Sequence, residues 1–343
     1  MKVGLSYWGF LEKFEDCSEP NTPDGHRYGR PIFVDELHLR DHEVFSLQKM
    51  REKFPYNNVK YDSSGFPDID LLFIEWRWPT YKNSGENPQE PDLIRQNELL
   101  SYYHGKIPIV VWDCDHKVTD DDERRWPHVR FADPSLRPKE MFATRDRLMF
   151  WTDWKAVMNP TQTSFEYGYI GNNYERDEQF GEYYGACASA LRGIGIQTTV
   201  CGNWLQKSPE REDPSKLISR WRNVAFGQRM GFKESMQRLN SFIVTCHISK
   251  PDYSTRGFVS PRFLENIAFG TPAIVPAELM HRDFLGKEWI VFDSHDVVTK
   301  VSSIASMSYN ERASLVQHQR EVLQSKRLFS VVEAVEYIES LEK

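Results

Sequence analysis

Four consecutive residues, Asp113-Cys114-Asp115-His116, set two carboxylates and an imidazole directly after the apolar run KIPIVVW. An Asp-X-Asp spacing at a strand end suits a divalent cation bridging a diphosphate. The same residues suit an active-site turn in which Asp115 and His116 orient a hydroxyl and assist proton movement. Solvated loop carboxylates, with His116 capping a neighbour, also account for them. A second carboxylate, Glu265, sits in FVSPRFLENIAFGTPAIVP, residues 258–276. There Ser260 suits a helix N-cap and Pro261 the first helical position. Phe263, Leu264, Ile267 and Ala268 make an apolar face, Gly270 a stop, and AIVP a buried strand. Glu265 lies off that face, either as a surface carboxylate or as an acceptor of bonds from sugar hydroxyls. The start of this helix is a natural anion site, because free N–H groups and the helix dipole converge there.

Cations and aromatics are interleaved in two stretches. Residues 124–147 hold seven Arg/Lys against three Asp/Glu, with Trp126, Phe131 and Phe142; residues 202–238 hold eight against four, with Trp204, Trp221, Phe226 and Phe232. Such segments can hold phosphates and stack on bases, or form an ordinary solvated arginine face. Arg124, Arg125 and Arg130 are candidates for nucleic-acid contact, and Arg229, in the turn GQRMG before a helix, for an anionic donor. The loop NTPDGHRYGRP offers Asp24, His26, Arg27 and Arg30 beside glycines that admit close approach, although turn chemistry explains its Pro-Asp-Gly as well. Glu75-Trp76-Arg77-Trp78 follows another strand and suits acceptor contact or an aromatic lid.

These residues need a scaffold. The 343-residue chain is long enough for about two domains, with 40% apolar and 13% aromatic residues. Its net charge of −7 argues against binding polyanions by bulk charge. Five scattered cysteines without a CxxC indicate neither a disulfide framework nor a structural zinc site. With no secretory leader and no apolar run of membrane-spanning length, the sequence reads as a soluble cytosolic protein. Strands at KVGLSY, HEVFSL, DIDLLFIEW and KIPIVVWDCD alternate with helices at PIFVDELHL and DLIRQNELLSYYH. The alternation restarts with YGYIGN, a helix RDEQFGEYYGACASALRG, then IQTTVCGN, FKESMQRLNSF, FIVTCHIS, AIVP and EWIVFD. Alternating β and α elements predict two α/β domains with parallel sheets, whose strand ends line a ligand cleft.

The run GFVSPRFLENIAFGTPAIV, preceded by YIGNNYER and followed by EWIVFDSHDVVTKVSSI, resembles the donor half of GT-B glycosyltransferases over most of 165–305. The resemblance implies two doubly wound Rossmann-like domains: 1–156 for the acceptor, 157–322 for a nucleotide-sugar, and a C-terminal helix, 323–343, returning to the first. It puts Glu265 on the ribose, Arg176 near the diphosphate, and Arg256, Gly257, Phe258, Val259 and Ser260 along the donor. Two departures are Gly257, where the family often has a second Glu, and Asn172, where it has an Arg. In the first half, VVWDCDHKV is similar to the V-V-Y-Q-H-D-H segment of tailed-phage DNA α-glucosyltransferases, with Asp115 and His116 on the matching Asp-His. LENIAFGTPAIV and GRPIFVDELHLRDHEV carry further similarity to those enzymes. They imply retaining transfer from a UDP-sugar to a hydroxymethylated pyrimidine in double-stranded phage DNA, in an infected host's cytosol. No bound metal is expected. The alternatives are a transferase acting on a glycan, lipid or small molecule, and a non-catalytic nucleic-acid-binding protein on a transferase fold.

Overall fold

The computed structural model describes residues 1–6, 29–47, 59–76, 91–137, 145–155, 157–160, 165–207 and 213–341, without the side chains of 91–93 and 232–233. Asp24, His26, Arg27, Arg77 and Trp78 lie outside the described residues. The chain divides into two units. Among the described residues, the first comprises those up to Trp151 together with those from Ser330 onward, and the second runs Thr152–Phe329.

In the first unit, runs of Val, Ile and Leu become strands covered on both faces. The elements are β1 (Lys2–Ser6), α1 (Gly29–Leu39), β2 (Glu43–Ser46), β3 (Leu71–Glu75), α2 (Pro91–Tyr103), β4 (Ile109–Trp112), α3 (Asp120–Arg125), β5 (Arg130–Asp133) and β6 (Asp146–Arg147). They form one sheet in the order β2-β1-β3-β4-β5-β6, with every pair parallel. All of β3 and β4 is buried, as a parallel sheet between helix layers requires. An aromatic cluster locks α1 down: Trp151 stacks on Trp112 at 4.6 Å, meets Phe33 at 4.9 Å, and donates its indole N–H to the Gly29 carbonyl at 2.8 Å.

The second unit contains β7 (Glu166–Ile170), α4 (Asp177–Phe180), α5 (Ala188–Gly193), β8 (Gln197–Cys201), α6 (Pro214–Arg220), β9 (Val224–Gly227), α7 (Phe232–Asn240), β10 (Thr245–Cys246), α8 (Pro251–Arg256), α9 (Pro261–Ala268), β11 (Ala273–Pro276), β12 (Ile290–Val291), α10 (Ser294–Ser306) and α11 (Tyr309–Ser325). Strands β9-β8-β7 and β10-β11-β12 form two parallel sets. The Ile243 N–H bonds Glu166 O at 2.7 Å and the Gly168 N–H bonds Val244 O at 3.3 Å, which joins the sets at β7 and β10. The resulting order, β9-β8-β7-β10-β11-β12, reverses direction between β7 and β10, the position where doubly wound sheets bind ligands. The last helix, α12 (Val331–Glu339), returns to the first unit, where the Tyr337 hydroxyl donates to Asp146 at 2.7 Å and Glu339 takes Arg40 and His42, each at 2.8 Å.

Several elements depart from the sequence reading. The helix read across 176–193 is broken by a π turn, Gly181–Gly185, closed by the bond from the Ala186 N–H to Gly181 O. FIVTCHIS contributes only Thr245–Cys246 to its strand. The two basic stretches contain β5, β6, α6 and β9, and the described aromatics in them serve the core. Trp126 and Phe131 are buried in the first unit, Trp204 is buried in the second, and Trp221 and Phe226 pack against its core. Among the described residues no helix is long and apolar enough to cross a membrane, and Cys187, Cys201 and Cys246 are free thiols.

Arg145, in the first basic stretch, turns inward instead of joining a surface patch. Its guanidinium meets Asp113 at 3.1 Å, Glu123 at 2.5 Å and Asp133 at 3.4 Å, all four side chains being essentially inaccessible. Asp113 also accepts the N–H groups of Lys117 at 2.6 Å and Val118 at 3.0 Å, closing the turn that follows β4. Removing Arg145 leaves three buried carboxylates uncompensated, so Arg145→Leu should lose about 3–5 kcal/mol near neutral pH. Burial pushes the Asp113 carboxyl up to about 6 from 3.8, against the opposing pull of Arg145. Between those values the folded chain holds the proton that the unfolded chain has released. Stability from this group therefore rises as pH falls through about 6. Without Arg145 the Asp113 carboxyl climbs further, and the variant's deficit should shrink between about pH 7 and about pH 5. Urea unfolding at both values measures it, and a pH-independent deficit would exclude this origin.

Candidate active site

Glu265 is buried, at 2% exposure, and is not the surface carboxylate its place off the apolar face allowed. Its immediate partner is Arg262, one turn earlier, at 2.9 Å. The helix carrying it, α9, is held at its far end by α11. Arg320 donates to Ile267 O at 3.1 Å and Ala268 O at 3.2 Å, and Gln319 makes two 2.9 Å bonds to the backbone of Ala273. A cation at a helix C-terminus satisfies orphan carbonyls and complements the dipole. At the other end Ser260 takes the N-cap backbone conformation but its hydroxyl makes no capping bond. The first turn is left without a side-chain cap, as an anion-binding helix start requires.

The remaining donor candidates fall around this helix and the carboxyl ends of β7, β9 and β10. Arg176, at the N-cap of α4, donates through Nη1 to Asn172 O at 3.0 Å, while its buried Nε has no hydrogen-bond partner. Gly257 ends α8 in the left-handed conformation, φ 67°, which a side chain would strain. Phe258 and Val259 are core residues, with Phe258 stacked on Tyr253 at 4.0 Å. Their side chains shape the approach to α9 and are not exposed to a ligand. Arg256 is half-buried, and Arg229 is exposed in the loop from β9 to α7.

Sequence reasoning missed several groups here. His247 and Ser249 follow β10 at the point where the strand order reverses, and both are buried. Among the described residues, neither the imidazole nitrogens of His247 nor the hydroxyl of Ser249 has a hydrogen-bond partner, and the same holds for the side chains of buried Asn266 and His281. His247, His281 and Phe263 form a triangle with ring centroids 5.1–5.2 Å apart. Burial first, then His281 and the cations Arg176 and Arg262, hold His247 far below the usual imidazole range; burial alone takes His281 down to about 3. Both rings are neutral. The loop itself is fixed: the Ser249 N–H donates to Gln179 at 2.6 Å, and Gln179 and Tyr183 donate to Glu278 at 2.9 and 2.7 Å. The available sequence signal was a polar run, His-Ile-Ser-Lys, directly after a strand. Gly202, φ 148°, closes the neighbouring strand end, where a Cβ would lie 2.2 Å from Gly171 O. A buried polar group without a partner costs about 1–3 kcal/mol. His247→Leu should therefore stabilise the protein by roughly 1 kcal/mol or more in urea unfolding. A loss of stability would show the imidazole to be satisfied.

In the first unit, Asp115 and His116 are half-buried on the turn after β4, and His116 adopts a left-handed φ of 54°. Its Nε2 lies 2.9 Å from the hydroxyl of Ser135. Asp113 points the other way, into the Arg145 cluster. Its two oxygens are taken by backbone and guanidinium, so Asp113 and Asp115 do not fit a two-carboxylate metal clamp. The described group with metal-ligand geometry is Asp293, His295 and Asp296, which is largely exposed, and Asp293 caps α10. Arg30 and Glu75, expected at the acceptor, are instead buried against each other: Arg30 Nε donates to Glu75 at 2.8 Å and Nη2 closes a second bond. Trp76 is likewise buried in the core, at 1% exposure, and is not a lid. Arg124, Arg125 and Arg130 are exposed on α3 and β5; Arg124 pairs with Asp121, and Arg125 lies over Trp126 at 5.3 Å.

Residues 186–331 match the family model described as glycosyl transferase-like. No curated protein matches in sequence at a significant level. Among solved structures, an α-glucosyltransferase in complex with UDP and a 13-mer DNA containing an HMU base is similar, with a TM-score of 0.66, 14% identity and coverage of 100% of this chain and 99% of that one. T4 phage β-glucosyltransferase with UDP-glucose matches at TM-score 0.62 and 13% identity over 99% and 98% of the two chains. The same T4 phage enzyme with UDP and Mn2+ matches at TM-score 0.64 and 13% identity over both whole chains. The two parallel doubly wound units and this likeness give the chain the GT-B fold, and residues 186–331 of it match a glycosyl transferase-like family.

Proposed function

We propose that the protein transfers a sugar from a UDP-sugar to the hydroxymethyl group of a modified pyrimidine in double-stranded DNA, with retention. The observation that carries the donor half is the gathering of partnerless buried polar groups at the β7–β10 reversal, beside Glu265 and the uncapped start of α9. In this reading Glu265 accepts the ribose hydroxyls. Arg176, Arg229 and the first turn of α9 stabilise the charge that develops on the departing diphosphate. Arg256 and the left-handed Gly257 bring the backbone of 257–260 alongside the donor. Asp115 and His116, on the first unit, orient the acceptor hydroxyl. A carboxylate is a weak base for an alcohol, so the leaving phosphate is the natural proton acceptor. A base inside a duplex has to be extruded to present its hydroxyl.

The DNA half rests on the likeness to the α-glucosyltransferase complex and on the exposed guanidiniums of Arg124, Arg125 and Arg130. Because the whole chain carries −7, phosphate contacts have to come from such local clusters.

Two measurements test the halves separately. Glu265→Ala should weaken UDP binding by about 1.5–3 kcal/mol, roughly 10–150-fold by calorimetry, the worth of hydrogen bonds to a charged group. Unaltered UDP affinity would remove Glu265 from the site. Reversing Arg124, Arg125 and Arg130 to Glu together should weaken duplex binding and flatten its salt dependence while leaving UDP affinity intact. Labelled glucose from UDP-glucose should enter duplexes containing hydroxymethylcytosine or hydroxymethyluracil and not those with cytosine or thymine. Incorporation into none, with UDP still bound, would direct the reaction to a glycan, lipid or small-molecule acceptor.

A further inference from the structure

Gln179 stands on α4, three residues after Arg176, and its side-chain amide reaches two other loops of the second unit. The Ser249 N–H donates to its Oε1 at 2.6 Å, and its Nε2 donates to Glu278 Oε1 at 2.9 Å. A main-chain N–H can only donate, so the amide oxygen must face Ser249 and the amide NH2 is left for Glu278. The amide therefore bridges the loop after β10 to the loop after β11 in one orientation. The other oxygen of Glu278 accepts the Tyr183 hydroxyl at 2.7 Å, from four residues further along the same segment. Burial first, then Glu278, push the Tyr183 phenol upward, which keeps it a donor. Both oxygens of Glu278 thus hold the Gln179–Tyr183 segment, and Gln179 in turn holds Ser249.

The loop after β10 depends on this bond. At one end the His247 N–H is tied to Ile274 O at 3.0 Å, and at the other Lys250 O accepts the Ser254 N–H at 2.9 Å and starts α8. Between them the polar side chains give no hold, since the His247 imidazole and the Ser249 hydroxyl have no hydrogen-bond partner among the described residues. Arg176, three residues before Gln179, is one of the cations that act on His247. The loops joined through Gln179 are thus the ones that meet at the β7–β10 reversal.

We infer that Gln179 is a positioning residue for donor binding: as acceptor and donor at once, it sets the His247–Ser249 loop against the Arg176 turn, with Glu278 as its anchor. This rests on the reading of the β7–β10 reversal as the nucleotide-sugar site. A leucine of similar size makes neither bond. A protonated glutamate makes both, through its carbonyl oxygen and its hydroxyl. An ionised glutamate still accepts from Ser249 but opposes Glu278. Two carboxyls at hydrogen-bond distance share a proton above the pH at which an isolated glutamate, near ~4.3, releases it. The other charged groups bordering position 179 are Lys250, beside Ser249, and Arg176, Glu178 and Glu182 along its own segment; Glu182 accepts the Ser294 N–H at 3.1 Å.

Calorimetric titration of the full-length protein with UDP-glucose tests the inference, each variant being compared with the wild type at the same pH. Gln179→Leu should keep its fold, because the side chain is half-buried, and bind about tenfold more weakly at both pH 8 and pH 5, the worth of one hydrogen bond. Gln179→Glu should be weakened at about pH 8 and return to within about twofold of the wild type at about pH 5. Equal weakening of Gln179→Glu at both pH values would overturn the amide bridge as the cause. Wild-type affinity in Gln179→Leu, with Glu265→Ala still weakened, would overturn the inference and leave the donor site standing, even if charge repulsion weakened Gln179→Glu. Unaltered affinity in both Gln179→Leu and Glu265→Ala would remove the donor site, and the inference with it.

Discussion

Strands in both units pair in parallel, and that one constraint orders everything else. Parallel neighbours cannot be joined by a tight hairpin, so each connection has to cross over the sheet, usually as a helix. All strand ends of one polarity then lie along one edge of each sheet, and the loops after them collect residues released from packing. In the first unit that edge carries Glu75, the Asp113–His116 turn and the Asp133–Ser135 segment. In the second it carries the Gly171–Arg176 loop, Gly202, Arg229 and His247–Ser249.

Polar groups buried behind these edges are of two kinds, and the difference separates scaffold from site. Arg145 with its three carboxylates, Arg30 with Glu75, and Arg320 with Gln319 under α9 bond to defined partners and fix backbone. Networks of this sort favour one arrangement, because at low dielectric a half-satisfied alternative is costly. Around the β7–β10 reversal the pattern inverts: the side chains of His247, Ser249 and Asn266 and the Nε of Arg176 are buried without hydrogen-bond partners among the described residues. A folded chain tolerates such a concentration of unmet polarity where function demands it.

Asp113 shows how closely the two kinds are interwoven. One residue separates it from Asp115, yet it belongs wholly to the scaffold. Its carboxylate closes the turn that presents Asp115 and His116, and through Arg145 it is joined to the residue that orients Ser135. What reads in sequence as a pair of equivalent ligands is one structural carboxylate and one candidate active-site group, set apart because the chain turns directly after β4, whereas a continued strand would have put residues 113 and 115 on one face.

The sequence by itself determined the elements whose signals are local. The Val-Ile runs of β3 and β4, the helix α9 bracketed by Ser260-Pro261 and Gly270, and the alternation that implies parallel sheets were all legible from propensity and period. So was the glycosyltransferase resemblance; Glu265, off the apolar face of α9, read equally as a surface carboxylate, and its burial was decided by tertiary structure. Tertiary structure alone decided which charges face inward. Arg145 and Trp204 look like surface ligands in basic, aromatic stretches and Arg30 in a glycine-containing loop, but their partners lie tens of residues away, at Asp113, Gly171 and Glu75. His247 escaped notice for the converse reason: an isolated histidine after a two-residue strand has no local signature, and only the joining of β7 to β10 puts it at the reversal beside Arg176 and Arg262. Burial and pairing are properties of long-range contacts, which no short window of sequence contains.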